Sequence, residues 1–366
     1  MLIMSDNRPK PSAREGSGAV YLPHWRRRVY TVLGLLLLTG VVVTFATTVG
    51  SVQIPFFTTF RILLSQLPLV DITPGWPGTT ETIILEIRLP RIILAGLVGA
   101  ALAMAGATYQ GLFRNPLADP YLIGVAQGAA LGAVIGFLLP IDSRGWGFGI
   151  IPMLAFTGAL VSVAIVYSLA RVGKVLPVTT LILAGVALGA LWGAIVSYLT
   201  ITSGETMQGI LFWLMGSFAL SEWSEVRVVL PYVVGGATVI LLYSRSLNVM
   251  QLDEEQAQQL GINVEKVKLI LLIVSTLITA AAVSFVGIIG FVGMIIPHAV
   301  RLLWGPDHRF LLPLSLLTGA IFMVIVDLVA RTILAPTEIP VGIITAICGV
   351  PFFLYVLRRR RTAVFF

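Results

Sequence analysis

The sequence predicts an all-α polytopic membrane protein with about ten transmembrane helices. Of its 366 residues, 57% are hydrophobic and only 11% are charged, and the mean hydropathy is +0.96. Soluble domains are nearer to half apolar and a quarter charged. The apolar runs are long and continuous, and about 18 to 25 such residues cross a bilayer core of roughly 30 Å as a helix. Strands of a membrane barrel would instead alternate in polarity over about 10 residues.

The first 29 residues differ in composition from the rest of the chain. They are polar, contain prolines and glycines, and include the run Arg26-Arg27-Arg28. We predict that residues 1–29 form a disordered, basic cytoplasmic tail and that residues 30–366 form one transmembrane domain. The apolar run that follows the tail is long for a signal peptide, so an uncleaved first span is expected.

Charged and proline-rich interruptions divide the apolar sequence into ten predicted spans. The spans cover residues 30–50, 88–112, 121–140, 148–170, 177–200, 226–244, 267–286, 288–304, 311–332 and 340–357. With the N-terminus inside, the inner segments hold eighteen of the 24 lysines and arginines, as the positive-inside rule requires. Both termini are therefore expected in the cytoplasm. The net charge of +7 then reflects topology and does not indicate binding to nucleic acid.

Three segments between spans are longer than simple turns. Residues 51–82 are predicted to form a short amphipathic helix on the outer surface. Residues 202–225 contain the stretch GILFWLMGSFALSEW, which is rich in aromatics but too short to span and indicates a half-helix that dips from that surface. Residues 245–266, on the inner side, are polar and end in a leucine and a glycine typical of a helix C-cap. We predict a soluble helix or pair of helices there, presented to the cytoplasm.

Small residues recur at every fourth position in the third and fifth spans. The rows are Gly128, Gly132 and Gly136 in the third span, and Gly185, Gly189 and Gly193 in the fifth. In lipid this spacing lets helix backbones approach closely. Either row is compatible with tight packing inside the bundle or with a helix that lines a pathway and slides.

Charged residues inside apolar segments are costly and therefore informative. Asp327 and Arg331 lie four residues apart on one helical face and are expected to pair, although Arg331, near the outer end, is also placed to meet an acidic partner. Arg88 and Arg91 lie three apart at the outer surface, where the second span begins. They are expected either to reach lipid headgroups or to capture a carboxylate of a docking protein.

The inner end of the eighth span carries a second group of polar residues. His298 and Arg301 precede a turn with Asp307, His308 and Arg309, and a cationic side chain there would complement a helix C-terminus. His298 and His308 lie ten residues apart in sequence, and they lack the additional carboxylate or thiolate ligands that a metal site needs. The single cysteine lies in an apolar run, which excludes an intrachain disulfide. We expect no metal and no cofactor bound by this chain.

Motifs of nucleotide chemistry are missing from the sequence. There is no glycine-rich loop followed by Lys-Ser/Thr and no nucleophile elbow. The chain is therefore not expected to be an enzyme or to hydrolyse nucleotide itself.

Seven stretches of the sequence, taken together and in order, resemble the FecCD family, the permease subunits of type II ABC importers for iron-siderophores, haem and cobalamin. The matching stretches are RLPR (88–91), LVGAALAMAGATYQGLFRNPLADPYLIG (97–124), LILAGVALGA (181–190), LNVMQLDEEQAQQLGINV (247–264), FVGMIIPHAVRLLWGPDHRFLLP (291–313), DLVAR (327–331) and PTEIPVGIITAICGVPFF (336–353).

The resemblance implies a cobalamin-permease-like fold with an inverted repeat that relates spans two to five to spans seven to ten. Two copies would pair as a homodimer, and the fifth and tenth helices would line the path between them. Two ATPase subunits using ATP and Mg would sit below, and a periplasmic or lipid-anchored binding protein would dock above. The complex would lie in the lipid of the bacterial cytoplasmic (inner) membrane. Its cargo would be a bulky metal chelate, an iron-siderophore or haem, with cobalamin as the alternative.

The resemblance also implies roles for individual residues. It assigns docking of the binding protein to Arg88, Arg91 and Arg331. It assigns coupling to the ATPase to Leu252, Asp253, Glu254, Glu255, Ala257, Leu260 and Gly261. It assigns the cytoplasmic gate to Asn115, Leu117, Val178 and Thr179. The helix that lines the path carries Gly185, Gly189 and Gly193.

Two other functional classes stay open at this level. An ion- or proton-coupled secondary transporter would need an unpaired carboxylate near the middle of the membrane, and the candidate, Asp327, has Arg331 within reach. A membrane-anchored sensor or scaffold would need a sizeable soluble output domain, and residues 30–366 do not contain one.

Overall fold

The computed structural model describes residues 24–50, 52–66, 72–140, 149–173 and 175–363. Within these ranges the chain is helical and contains no β-strand, only an isolated bridge between Val172 and Val175. The α-helices are α1 (His24–Thr48), α2 (Phe56–Ser65), α3 (Gly78–Thr82), α4 (Leu89–Leu112), α5 (Val125–Leu138), α6 (Ile150–Ala170), α7 (Val178–Thr202), α8 (Met207–Leu214), α9 (Trp223–Leu242), α10 (Ser244–Val249), α11 (Glu254–Gln259), α12 (Val264–Val286), α13 (Val292–Trp304), α14 (His308–Thr332) and α15 (Val341–Ala363). The predicted tail lies outside the described residues as far as residue 23, and residues 24–29 are already helical.

The ten predicted spans correspond to α1, α4, α5, α6, α7, α9, α12, α13, α14 and α15. In the described part of the chain, seven helical stretches are long and apolar enough to cross a membrane by themselves. One of them runs without a break over Gly78–Leu112, because a π-helical turn, Ile83–Arg88, joins α3 to α4. Helices α5, α13 and α15 supply shorter apolar stretches.

Helices α5 and α13 are shorter than the spans predicted for them. Helix α5 follows a 3-10 turn, Pro120–Ile123, and Gly124, at φ 82°, separates the two. Helix α13 follows an irregular segment that starts at Gly287, at φ 79°, and ends at Phe291, at φ 70°. These backbone angles lie in the left-handed region, which interrupts a right-handed helix. Apolar composition alone does not reveal such breaks.

Polar contacts show which of the segments between helices lie at the same end of the bundle. At one end, which we call the inner end, Arg114 contacts Asp253. At the opposite, outer end, Trp223 Nε1 donates to the Leu85 carbonyl at 2.9 Å, and Arg88 Nη1 donates to the Thr47 carbonyl at 2.9 Å. These contacts join segments that the alternating topology assigns to the same side of the membrane.

Helix α4 lies at the centre of the bundle, and most of its residues are buried. Glycines allow this close packing: a Cβ atom on Gly99 would collide with the Gly319 backbone, and one on Gly106 with the Gly293 backbone. In the same way, the glycine row of α5 faces α6, where a Cβ on Gly132 would collide with the Leu154 carbonyl. The packing interpretation of the third-span row is therefore confirmed.

The two short helices predicted at the outer end are present. Helix α2 buries Thr59 and Ile62 and exposes Phe57, as expected of an amphipathic surface helix. Helix α8 has only eight residues and buries Ile210. After α8, the Ser217 backbone N–H donates to the carbonyl of Val286, the last residue of α12, at 2.8 Å.

We expect Gly106→Leu to destabilise the protein, because a side chain cannot fit against the Gly293 backbone. Overpacking a close contact of this kind costs about 1–3 kcal/mol. The matched control is Gly34→Leu in α1, since no atom lies within 4 Å of a Cβ at that position. Heating the detergent-solubilised protein and measuring the folded fraction by size exclusion should give a lower midpoint for Gly106→Leu only. Equal midpoints for both variants would contradict this packing.

Candidate gating, coupling and docking sites

The octet FRNPLADP, residues 113–120, forms a turn at the inner end between α4 and the 3-10 turn before α5. Its own side chains fix the turn: Asn115 Oδ1 accepts from the Leu117 backbone N–H at 3.0 Å, and Asp119 Oδ1 accepts from the Tyr121 backbone N–H at 2.9 Å. Desolvation raises the pKa of Asp119 to about 6, although the Tyr121 N–H favours the charged form. Asn115 is exposed and Leu117 is half-buried. The two candidate gate residues of the octet thus lie on a fixed turn, partly open to the surroundings.

The second candidate gate segment adjoins the octet. Val178 and Thr179 form the first turn of α7 at the inner end, and Thr179 is exposed. Val178 and Phe113 line the same small cavity, and Phe113 is the first residue of the octet. The fold therefore brings the two predicted gate segments of one chain together.

The glycine row of the fifth span faces α5 and the turn that precedes it. Gly185 packs against the backbone at Leu122, and a Cβ on Gly189 or Gly193 would lie 3.6 or 3.8 Å from the side chain of Gln127 on α5. The close approach at Gly185 supports the packing interpretation for that glycine, and the role of the row in lining a path stays a prediction.

Helix α7 is largely uncovered by the rest of the chain. Of its 25 residues only four are buried. The side of α7 that faces away from these buried residues carries apolar side chains that are more than half exposed, namely Leu183, Val186, Leu191, Tyr198 and Ile201. We call this surface the open face of α7. Helix α15 also exposes large apolar side chains, including Ile347 and Leu354.

The predicted coupling segment folds as two short helices, α10 and α11, at the inner end. Leu252 and Leu260 are exposed at the two ends of α11, and Leu260 is 65% exposed. Gly261 adopts φ 84°, the left-handed angle of the predicted C-cap. Ala257, by contrast, is fully buried. Ala257 therefore packs against the bundle while the two leucines face outward, and its role in coupling stays a prediction.

Arg114 joins the octet to the coupling segment. Its Nη1 donates to the Leu252 carbonyl at 3.2 Å and lies 3.4 Å from Asp253 Oδ1. Both charged side chains are exposed, and exposed ion pairs are worth only about 0–1 kcal/mol. The contact therefore matters mainly because it places α11 directly beside Asn115.

The polar residues after α13 form a network that joins three helices at the inner end. Asp307 caps α14, accepts from Asn248 Nδ2 at 2.7 Å and pairs with Arg309 at 3.0 Å and with Arg28 at 3.4 Å. Desolvation opposes ionisation of Asp307, but the hydrogen bonds from Arg309 and Asn248 prevail and lower its pKa to about 2. His308 Nδ1 lies 2.8 Å from Asn248 Oδ1.

Arg301 and His298 make contacts that sequence spacing did not indicate. Arg301 Nη1 donates to Gln110 Oε1 on α4 at 2.9 Å, so its guanidinium joins two helices instead of serving only as a helix cap. The His298 ring meets the Phe352 ring edge to face. Among the described residues, no three histidine, cysteine or acidic side chains are grouped so as to hold a metal.

Arg88 and Arg91, predicted at the outer surface, are instead enclosed by the protein. Arg88 is buried and donates to the carbonyls of Thr47 and Thr48, the last residues of α1, and to that of Val52 just after the helix. Those carbonyls have no further helical turn to bond with, so a buried arginine satisfies them. The side chain of Arg91 is only 12% exposed. Neither headgroup contact nor an exposed docking surface describes these side chains in this structure.

Arg91 bridges two carboxylates that are distant in sequence. It donates to both oxygens of Asp327, at 2.8 and 3.2 Å, and to both oxygens of Glu338, at 2.8 and 2.9 Å. Arg331 lies farther from Asp327, at 3.7 Å, and donates to the Ala46 carbonyl. The predicted pair of Asp327 with Arg331 is present, but Asp327 makes its shorter contacts with Arg91. Glu338 was missed, since a lone glutamate in a loop gave no signal.

Comparisons with known proteins agree on the family to which the chain is similar. The model of the FecCD transport family matches residues 36–359. The cobalamin import system permease protein BtuC of Halobacterium salinarum is 51% identical over 286 residues, which cover 78% of this chain and 76% of that protein. The hemin transport system permease protein HmuU of Yersinia pestis is 42% identical over 286 residues, which cover 76% of this chain and 83% of that protein.

A solved structure shares the fold. It is described as an inward-facing conformation of a metal-chelate type ABC transporter, and it superposes with a TM-score of 0.77 at 32% identity, covering 90% of this chain and 99% of its own. The matches extend over most of the helical domain and include the octet, the coupling segment and the arginine cluster. The chain therefore belongs to the FecCD transport family, as a multi-pass permease subunit of an ABC importer.

Proposed function

We propose that this chain forms half of the membrane path of an ATP-driven importer that moves a bulky metal chelate from the outer to the inner end. One observation carries the proposal: both candidate gate segments and the exposed helix α11 lie at the same end, and Arg114 joins them. Movement of α11 would therefore act directly on the turn that seals the path.

The path would be completed by a second copy of the chain. The open face of α7 and the apolar side chains of α15 are left uncovered within one chain. Membrane lipid would cover the remaining apolar surface, including most of α1, which buries only a small share of its length. A homodimer would bring the two open faces together.

The energy would come from two separate ATPase subunits, which would use ATP and Mg, since this chain carries no nucleotide-binding motif. They would contact α11 through Leu252, Leu260 and the exposed carboxylates of Asp253 and Glu255. Both termini would then lie in the cytoplasm. A secondary transporter is less well supported, because Asp327 is engaged by Arg91.

A substrate-binding protein would dock at the outer end. Arg91 is the best-placed of the three arginines, because one of its partners, Glu338, has a side chain that is 37% exposed. A carboxylate of the binding protein would compete with Glu338 for the guanidinium. Arg88 and Arg331 would support the same surface from within, through the backbone at the end of α1.

The cargo would be a metal chelate of the size of a tetrapyrrole. The relative named for cobalamin import is more similar to this chain than those named for hemin or for Fe(3+)-citrate import, at 51% against 42% and 38% identity. This order favours cobalamin over the iron-siderophore or haem expected from sequence. A molybdate import permease is also related, at 34% identity, so the shared architecture by itself does not define the cargo.

We expect Leu260→Asp to reduce retention of the ATPase subunits about tenfold or more, because a charge replaces an exposed apolar side chain that the ATPase contact would bury. The measurement is the amount of ATPase that co-purifies with the permease. Leu220→Asp is the matched control, since that leucine is 89% exposed at the outer end. Equal retention by both variants would remove Leu260 from the contact.

Replacing both Asn115 and Leu117 with alanine should raise ATP-independent leak of cargo from liposomes severalfold. The change removes side-chain volume from the candidate gate and also the hydrogen bond that fixes the turn. Leu169→Ala, at an exposed position near the end of α6, controls for general loosening of the inner end. An unchanged leak in the double variant would make the octet a structural turn only.

The cargo proposal is tested through the partner binding protein. Its affinities for cobalamin, haem and a ferric siderophore should be measured side by side by calorimetry, and uptake of each should then be followed in liposomes that hold the whole complex. We expect cobalamin to bind most tightly. Preference for a ferric siderophore, with cobalamin unbound, would overturn the assignment while leaving the import function intact.

A further inference from the structure

Lys268 is a buried cation with a specific set of partners. It lies in the second turn of α12, and its side chain is 6% exposed. Its Nζ is 2.8 Å from Glu254 Oε1 on α11 and 3.0 Å from Glu265 Oε1 on its own helix. A buried ammonium group is strongly destabilising unless it is paired. The two carboxylates thus hold Lys268 in place, and one of them belongs to the coupling helix.

Glu265 and Lys268 also bind the backbone of Leu176, just before the second gate segment. Glu265 Oε2 accepts from the Leu176 backbone N–H at 2.9 Å, and Lys268 Nζ approaches the Leu176 carbonyl at 3.5 Å. Leu176 is buried and stands two residues before Val178. Both backbone polar groups of one residue are therefore bound by side chains of α12.

We infer that Glu254, Lys268 and Glu265 form a relay that positions the second gate segment according to the position of α11. The relay rests on the proposed function, in which the ATPase moves α11. A shift of α11 displaces Glu254, and Lys268 follows because its buried ammonium group has no solvent to replace that partner. The displacement then reaches the Leu176 backbone and the start of α7.

The relay complements the contact made by Arg114. Arg114 links the beginning of α11 to the octet through exposed groups, while Lys268 links α11 to the segment before α7 through a largely buried group. Phe113, Val178 and Lys268 line one small cavity, so both routes converge on the same place. A single short helix thereby acts on both candidate gate segments of the chain.

A merely structural role for Lys268 would predict loss of assembly or stability without a change in coupling. The relay predicts that the assembled complex still hydrolyses ATP but moves less cargo for each ATP. In this view Lys268 is a positioning residue, since it contacts neither cargo nor nucleotide. The two cases are separated by measuring hydrolysis and uptake in the same liposomes.

The test uses the complete complex, reconstituted with Lys268→Met, Lys268→Arg, Glu254→Gln and the double variant Glu254→Gln/Lys268→Met. We expect Lys268→Met to lower cargo transported per ATP hydrolysed about threefold or more, and Lys268→Arg to restore part of the ratio because it keeps the charge. The double variant should be no worse than Lys268→Met alone, since both changes break one link.

Lys266→Met is the matched control, because Lys266 is an exposed lysine two residues away on the same helix. A wild-type ratio for an assembled Lys268→Met complex, or effects of Glu254→Gln and Lys268→Met that simply add, would overturn the relay. If Lys268→Met fails to assemble, Glu254→Gln tests the same link from its half-exposed end. Absence of ATP-dependent uptake in the wild-type complex would instead refute the proposed function.

Discussion

The guanidinium group of Arg91 holds together the segments on which the outer half of the bundle depends. It binds Asp327 on α14 and Glu338 in the loop before α15, and it projects from the start of α4, the central helix. A planar group with several fixed donors can serve two carboxylates at once, which a lysine cannot do. Removing any partner would leave a charge in a poorly solvated place, and this makes the three segments mutually dependent.

At the inner end, several ion pairs are more exposed. Arg114 with Asp253 and Arg28 with Asp307 are examples. The helices α10 and α11 have six residues each and bury few side chains. Segments held by few buried contacts open and shift more readily than a packed core. A bundle whose outer end is fixed by buried ion pairs, and whose coupling helices are held by few buried contacts, among them the pair of Lys268 with Glu254, is suited to opening at the inner end.

Sequence alone predicted those features that depend on local composition. Long apolar runs gave the spans, the positions of glycine and leucine gave the C-cap at Gly261, and the polar segment gave α10 and α11. The i, i+4 spacing indicated the pair of Asp327 with Arg331, but not the closer contact of Asp327 with Arg91, which lies 236 positions away. The side of α7 that carries its glycines, and the burial of Ala257, likewise depend on neighbours that only the folded chain supplies.

The open face of α7 bears on how a path can pass a large cargo. Its side chains, among them Leu183, Val186 and Leu191, are apolar and offer almost no hydrogen-bond donors or acceptors. Tight recognition of a chelate requires a few well-placed polar groups, so walls of this kind would hold the cargo weakly and release it readily. Selection of the cargo would then belong to the binding protein, while the permease would supply a passage and a gate. This division would explain why relatives that match most of this chain carry names for cobalamin, hemin and Fe(3+)-citrate import.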